Sequence, residues 1–185
     1  APALVQVNAS SKSYTFSGAG ITGTCSLVKS GTANLTLNSA NAYSGQTAVN
    51  AGTLTLNGQL SNSCVVVAFG ATLNQGALGR IDGAAVSVTN FGTLTLAGTN
   101  RYDGMTVVGV LGISNNTLNV NSPYALGSTA NGTIINGGSG NTENRLVVGD
   151  GVTVTGETLT LNPASGNRAG LRFFAGGTGT WDGDI

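Results

Sequence analysis

Short runs of alternating apolar and polar residues recur along the whole chain and predict β-strands. Leu, Val and Ile alternate with Thr, Ser or Asn, so a pleated strand would turn aliphatic side chains to one face and hydroxyls to the other. No stretch has a helical period, and Asn-Gly and Asp-Gly pairs separate the runs as turns. The predicted strands are Tyr14–Phe16, Cys25–Val28, Asn34–Leu37, Thr53–Leu56, Cys64–Ala68, Ala71–Leu73, Val86–Thr89, Thr93–Leu96, Thr106–Val110, Thr117–Val120, Thr133–Ile135, Leu146–Val148, Val152–Thr155, Thr158–Leu161 and Leu171–Phe174.

The strand runs belong to a longer repeat of about twenty residues. The pentapeptide GTLTL occurs at Gly52–Leu56 and again at Gly92–Leu96. Around it, residues 34–49 are echoed by residues 93–108 at a constant offset. A repeat of this length, written in Thr, Leu, Val, Asn and Gly, is typical of a solenoid in which each turn of the chain packs only against its neighbours.

Aliphatic residues also advance along the chain in near-constant steps of 19–21 residues, at Leu35, Leu54, Leu73, Leu94 and Ile113. We therefore expect an all-β fold, a parallel β-helix (β-solenoid) of about nine coils of 19–21 residues, as a single domain over residues 1–185. The weaker pattern over residues 1–30 predicts an N-terminal cap or an atypical first coil. The chain stops near Trp181 within a predicted strand, so we expect an uncapped end that continues in the natural protein or meets a neighbouring subunit.

Charge and composition narrow the functional classes. The chain has 7 basic and 7 acidic residues and no net charge, so it has no basic field for nucleic acid. No apolar run approaches the length that spans a bilayer, so we expect no membrane insertion of this segment. A hydrophobic content of 40% argues against disorder. The neutral composition, rich in Thr, Asn and Gly, favours a secreted, extracellular or bacterial cell-surface protein.

The two echoed segments share a signature after their Leu-Thr-Leu run. It consists of Asn41, Tyr43 and Gly45 in residues 34–57, and of Asn100, Tyr102 and Gly104 in residues 92–113. With these residues the segments resemble the passenger-associated transport repeat, also called the autotransporter-associated β-strand repeat, of secreted bacterial proteins. The resemblance implies a right-handed parallel β-helix in an exported surface protein, and it implies no activity because the repeat is scaffold. It also implies that the six residues are repeated corner residues, whereas a sugar-stacking platform at the two tyrosines is the alternative.

The two cysteines, Cys25 and Cys64, are candidates for a disulfide. They are 39 residues apart, which is about two coils, and two strand spacings amount to ~9–10 Å. A disulfide needs Cα atoms within about 7 Å, so a register slip near the N-terminus would be required. An extracellular setting favours the bond. The alternative is that both are small buried apolar residues.

The absence of histidine removes most catalytic arrangements. Neither a Ser–His–Asp nor a Cys–His arrangement can form within the chain, so we predict no catalytic residue, no cofactor and no metal site. A carboxylate-based polysaccharide lyase or hydrolase is the remaining enzyme hypothesis, because such sites need clustered acids. The acidic residues are Asp82, Asp103, Glu143, Asp150, Glu157, Asp182 and Asp184, and four of the aspartates precede glycine as turn formers do.

Aromatic residues near the C-terminus suggest a contact with another molecule. Phe173 and Phe174 are adjacent on a predicted strand, so they point to opposite faces and one of them should be exposed or covered by a partner. Trp181 follows closely. We predict that these three residues contribute to self-association.

These observations predict a non-enzymatic extracellular structural protein. In the first version, β-solenoid subunits self-associate into a surface fibre or layer and mediate adhesion, with partners that are other copies of the chain or host and cell-surface glycans. In the second version, the chain is a stalk segment of a longer autotransporter passenger that carries an adhesin. The third and weakest version is a polysaccharide-active β-helix enzyme.

Overall fold

The computed structural model describes residues 2–113, 115–139, 142–163 and 167–185, and all regular elements in these ranges are β-strands. The first twelve strands in chain order are β1 (Leu4–Asn8), β2 (Tyr14–Phe16), β3 (Thr22–Gly23), β4 (Ser26–Ser30), β5 (Asn34–Leu37), β6 (Ala40–Tyr43), β7 (Thr47–Val49), β8 (Thr53–Leu56), β9 (Gln59–Ser61), β10 (Val65–Val67), β11 (Thr72–Gln75) and β12 (Arg80–Gly83). They are followed by β13 (Val88–Asn90), β14 (Thr93–Leu96), β15 (Arg101–Tyr102), β16 (Thr106–Val108), β17 (Thr117–Val120), β18 (Thr133–Asn136), β19 (Glu143–Val148), β20 (Thr153–Thr155), β21 (Leu159–Asn162), β22 (Arg168–Phe173) and β23 (Thr180–Asp182). Within the described ranges no helix has the length and apolarity needed to cross a bilayer.

The strands form three faces of a parallel solenoid. Face A is an eight-stranded sheet in the order β1-β4-β7-β10-β13-β16-β18-β21, and face B is an eight-stranded sheet in the order β2-β5-β8-β11-β14-β17-β19-β22. Face C has five strands, β3, β6, β9, β12 and β15, followed after a gap by the pair β20 and β23. Each turn of the chain therefore visits the faces in the order A, B, C. The prediction of an all-β parallel solenoid is confirmed, with about eight turns where about nine were expected.

The predicted register holds in the middle of the chain and changes later. Leu35 pairs with Leu54, Leu54 with Leu73, and Leu73 with Leu94, as the sequence spacing predicts. The next partner of Leu94 is Leu118 and not Ile113, which is 47% exposed in the connection before β17. Later turns contain longer connections than earlier ones, which explains why fewer turns fit into the chain than a constant repeat predicts.

The core is a stack of identical inward positions. On face B the inward leucines Leu35, Leu54, Leu73 and Leu94 are all fully buried. On each of these strands, the residues that alternate with the inward positions face outward. Burial of one such leucine contributes about 1.5–3 kcal/mol to the stability of the fold. Because the leucines stack from turn to turn, they form a continuous apolar core along the solenoid. Residues 4–23 make a first turn whose strands pair with β4, β5 and β6 but remain more exposed, because they have a neighbour on one side only.

Candidate functional site

The asparagine of the first repeat is buried and connects three successive turns. The Oδ1 atom of Asn41 accepts a hydrogen bond from the backbone N–H of Ile21 at 3.0 Å. Its amide nitrogen donates to the carbonyl oxygens of Ser39 at 2.9 Å and Gln59 at 3.2 Å. Asn41 lies on β6 of face C, and its side chain supplies partners to backbone groups that would be costly to leave unpaired.

Asn100 occupies the equivalent position in the second repeat and makes more contacts. Its Oδ1 atom accepts hydrogen bonds from the N–H of Ile81 at 2.8 Å and from the amide of Gln75 at 2.5 Å. Its own amide donates to the carbonyl oxygen of Ala125 at 2.6 Å and to Gln75 Oε1 at 3.2 Å. All hydrogen-bonding atoms of Asn100 are therefore used. Sequence reasoning missed Gln75, although a glutamine at the end of an otherwise aliphatic strand pattern was a usable signal.

The two repeat tyrosines are fully buried, and their hydroxyls form hydrogen bonds with inward-facing threonines. Tyr43 Oη lies 2.6 Å from Thr47 Oγ1, which lies 2.7 Å from Ser63 Oγ. Tyr102 Oη lies 2.8 Å from Thr106 Oγ1. Burial raises the pKa of Tyr43 to about 12 and also raises the pKa of Tyr102, because the phenolate would be far from water. Neither ring is accessible to a sugar.

The repeat glycines lie where neighbouring turns approach each other closely. A Cβ atom on Gly45 would be 2.3 Å from the carbonyl oxygen of Cys25, and one on Gly104 would be 2.3 Å from that of Val86. Each glycine N–H also donates to that same carbonyl, at 3.1 Å and 2.9 Å respectively. A larger residue could not make these contacts without moving the backbone, so both glycines serve the stacking of turns.

The structure does not join Cys25 to Cys64. Both are free thiols, with Cys25 buried and Cys64 partly exposed. In the register of face A, Leu27 pairs with Thr47 and Thr47 with Val65, so the two cysteines are two strand spacings apart, about 9–10 Å. Cys64 also precedes an inward-facing valine and therefore faces outward, whereas Cys25 faces inward. The register slip that a disulfide would require does not occur.

Lys29 is a buried cation that sequence reasoning missed. Its side chain is fully buried on face A, in the inward column that holds Val49 on the next turn. The ammonium nitrogen donates to the carbonyl oxygens of Ser30 at 3.1 Å, Gly31 at 2.8 Å and Ala51 at 3.0 Å. Burial lowers the pKa of Lys29. All three donors have partners within the corner, so this lysine has a structural role.

The acidic residues do not converge on one site. Asp82 forms an ion pair with Arg80 at 2.9 Å on face C, and Glu143 forms an ion pair with Arg172 on face B. Asp150 accepts a backbone hydrogen bond from the turn before β23. Within the described residues, no group of three or more His, Cys, Asp or Glu side chains is arranged to hold a metal ion. The two ion-paired acids therefore lie on different faces, Asp82 on face C and Glu143 on face B.

The C-terminal aromatic residues lie on the last turn. Phe173 is 44% exposed and Phe174 59% exposed, so both are accessible where one was expected. Phe173 pairs with the inward-facing Val148, and it is uncovered because β22 is the last strand of face B. Trp181 pairs with Val154 and packs against the core. Whether these residues contribute to self-association stays a prediction.

The outer surfaces of faces A and B differ in chemistry. None of the outward residues on the strands of face A is charged, and its central column consists of Gln6, Val28, Ala48, Val66, Thr89, Val107, Ile134 and Thr160. Face B presents threonine and asparagine from β5 to β17, and charged side chains appear on β19 and β22. Face A is therefore the uncharged face of the solenoid.

A groove opens on face C where its sheet is interrupted. Its walls are residues 123–129 on one side and β20 on the other, and its volume is about 560 Å³. Glu157 lines it and is only 3% exposed, while Tyr124 is 64% exposed. Sequence reasoning listed Glu157 only among the acids and missed Tyr124, because neither position repeats.

Comparison with known families identifies the passenger-associated transport repeat in two segments, residues 27–56 and 89–110. The first contains Asn41 and Tyr43, and the second contains Asn100 and Tyr102. No curated protein and no solved structure matches the chain. The repeat is a structural repeat of autotransporter passengers and not a known enzyme family, and it implies a secreted or cell-surface bacterial protein. Repeat and solenoid together fit a passenger-like segment.

Proposed function

We propose that this chain, a β-solenoid with two passenger-associated transport repeats, is a non-enzymatic structural segment of an extracellular surface protein. The repeat residues support this proposal because they are used within the fold. The asparagine and tyrosine side chains of both repeats are at most 3% exposed and have hydrogen-bond partners inside the solenoid. They are therefore unavailable for catalysis or for binding a ligand.

The proposed role includes self-association into a fibre or layer through face A. The observation that carries this part is the absence of charge from the outward positions of all its strands. Two copies can place such faces together without like-charge repulsion and without burying an unpaired ion. Outward aliphatic residues such as Val66, Val107 and Ile134 would add apolar contact area.

Sedimentation velocity over a range of protein concentrations, with negative-stain microscopy, tests this role. We expect the wild-type chain to associate and the double variant Val66→Glu/Val107→Glu to remain monomeric, because the new charges oppose each other across the interface. Thr55→Glu/Thr95→Glu is the matched control, since it adds the same charges to outward positions of face B. Monodisperse short rods at every concentration would remove self-association and favour the stalk segment of a longer passenger instead.

A polysaccharide-active enzyme remains the weakest candidate. Two of its acids, Asp82 and Glu143, lie on different faces and form ion pairs with Arg80 and Arg172. If the chain were such an enzyme, it would depolymerise a polysaccharide, and Asp82→Asn or Asp150→Asn would abolish that activity. We expect no depolymerisation by the wild-type chain.

A further inference from the structure

The groove on face C lies between two turns that are not bonded to each other there. On one wall, the carbonyl oxygen of Tyr124 accepts a hydrogen bond from the N–H of Asn100 at 2.9 Å. The N–H of Ser128 donates to the carbonyl oxygen of Tyr102 at 2.9 Å, so this wall is bonded to the preceding turn. On the other wall, β20 pairs with β23 of the following turn and with no other described strand. The groove is thus a break in an otherwise continuous ladder.

The inner part of the groove holds a carboxyl group whose hydrogen bonds are incomplete. Thr133 Oγ1 donates to Oε1 of Glu157 at 2.8 Å, and within the described residues Oε2 has no hydrogen-bond partner. Burial raises the pKa of Glu157, which expresses the cost of keeping this carboxylate away from water. Oε2 is not one of the fully buried unpaired atoms of the structure, so water in the groove reaches it. Oε2 of Glu157 is therefore available to accept a hydrogen bond from a molecule in the groove.

The rim of the groove adds an aromatic ring and hydroxyls. Tyr124 is the most exposed tyrosine of the chain, and Thr153 and Thr155 are exposed on β20. The groove volume of about 560 Å³ lies within the range typical of small-ligand pockets. Apart from Glu157, none of the lining residues carries a charge. An uncharged ligand rich in hydroxyls, with flat apolar faces for the ring, fits this combination.

We propose that the groove binds a short segment of a neutral saccharide, with Tyr124 against a sugar ring and Glu157 accepting a hydrogen bond from a sugar hydroxyl. The threonine hydroxyls of β20 complete the polar contacts. This inference gives a ligand class to the adhesion that the sequence analysis predicts, and it does not depend on the proposed self-association through face A. An extended peptide paired with the free edge of β20 is the competing occupant, and it would not require the tyrosine ring.

Titration of the isotope-labelled chain with cellotetraose, chitotetraose, maltotetraose and mannotetraose, followed by amide NMR shifts, tests the proposal. We expect at least one tetrasaccharide to bind with shifts confined to residues 123–129 and 153–157. Tyr124→Ala should weaken that binding at least tenfold, and Glu157→Gln should weaken it several-fold. Tyr14→Ala is the matched control, because Tyr14 is 50% exposed on the first turn and far along the chain from the groove.

Tyr124 is exposed, so its replacement should leave the amide spectrum of the fold unchanged and any loss of binding reports on the groove. Absence of shifts with all four tetrasaccharides would overturn the proposal, as would binding that survives Tyr124→Ala. Shifts produced only by a strand-forming peptide would assign the groove to the competing occupant. The experiment is independent of association, because it can be repeated on the Val66→Glu/Val107→Glu variant.

Discussion

The turns up to β15 and the turns after it share faces A and B but differ on face C. From Leu35 to Leu94 the register on face B advances by 19, 19 and 21 residues, and every turn contributes a paired strand to face C. From Leu94 onward the advance is 24, 28 and 25 residues. In the first of these later turns no described strand continues face C, and pairing resumes only with β20 and β23.

The regular turns form the scaffold, whereas the later turns hold the candidate ligand groove. In the regular turns the repeat side chains Asn41 and Tyr43 have hydrogen-bond partners within the fold, and no ligand groove opens beside them in the described part of the chain. Three buried atoms there nevertheless lack a partner among the described residues, namely Ser39 Oγ, Arg80 Nε and Asp82 Oδ1. In the later turns, longer connections interrupt the ladder and leave Glu157 with an unpaired oxygen beside an exposed Tyr124. A repeated turn has little room for a ligand because its corners are occupied by its own side chains, whereas a turn with an insertion can form a groove.

The largest expected effect is the loss of stability when a core leucine is replaced, and it should differ between the two regions. Leu73→Ala, in the regular part, should reduce the free energy of unfolding by about 2–5 kcal/mol, because a fully buried side chain leaves a cavity. Leu171→Ala, in the same column on the last turn, should cost clearly less because that residue is only partly buried. Urea unfolding monitored by circular dichroism measures both. Equal costs would contradict the view that the regular turns form the more tightly packed core.

A smaller loss of stability is expected when either repeat asparagine is replaced. Asn100→Ala should cost roughly 2–3 kcal/mol, because it leaves the N–H of Ile81, the carbonyl of Ala125 and the amide of Gln75 without partners. Asn41→Ala removes fewer contacts and should cost less. In a double-mutant cycle, Gln75→Ala should cost less in the Asn100→Ala background than in the wild type, because the hydrogen bonds between the two amides are already lost. If Gln75→Ala cost the same in both backgrounds, the coupling between Asn100 and Gln75 would be refuted.

The smallest expected effect is a pH dependence confined to the later turns. The pKa of Glu157 is raised in the folded chain, so its folded state holds a proton that the unfolded state has already released. Stability linked to this group is present at acid pH and is lost as the pH rises from the ordinary glutamate value of about 4.3 through the raised value. Glu157→Gln should remove this loss, so its stability relative to wild type should increase with pH.

Residue-resolved unfolding by NMR between acid and neutral pH locates that effect. We expect amides of β18 and β21 to follow the pH dependence and amides of β5 and β8 to be insensitive to the substitution. A uniform change along the solenoid would show that the two regions unfold as one unit. A wild-type chain that becomes more stable as the pH rises relative to the glutamine variant would contradict the sign.

Much of the fold could be predicted from particular sequence patterns. The bounds of Asn34–Leu37, Thr53–Leu56 and Thr93–Leu96 agree with the strands of the structure, because strict alternation reports on one buried face. The strands of face C other than β20 were missed, as in Ala40–Tyr43, because inward residues such as Asn41 and Tyr43 break the alternation of aliphatic and polar residues. Ile113 was assigned to the leucine column because a constant spacing cannot reveal an insertion.

The sequence by itself determined the class of fold, since apolar alternation and a twenty-residue repeat are local properties that each turn carries within itself. The sequence also identified the repeat asparagines and tyrosines, because the two echoed segments share them. Only the tertiary structure decided which of these side chains are accessible, because burial depends on what the neighbouring turn places against them. The groove beside Glu157 and Tyr124 exists only through that stacking, as it forms where one turn fails to pair with the next.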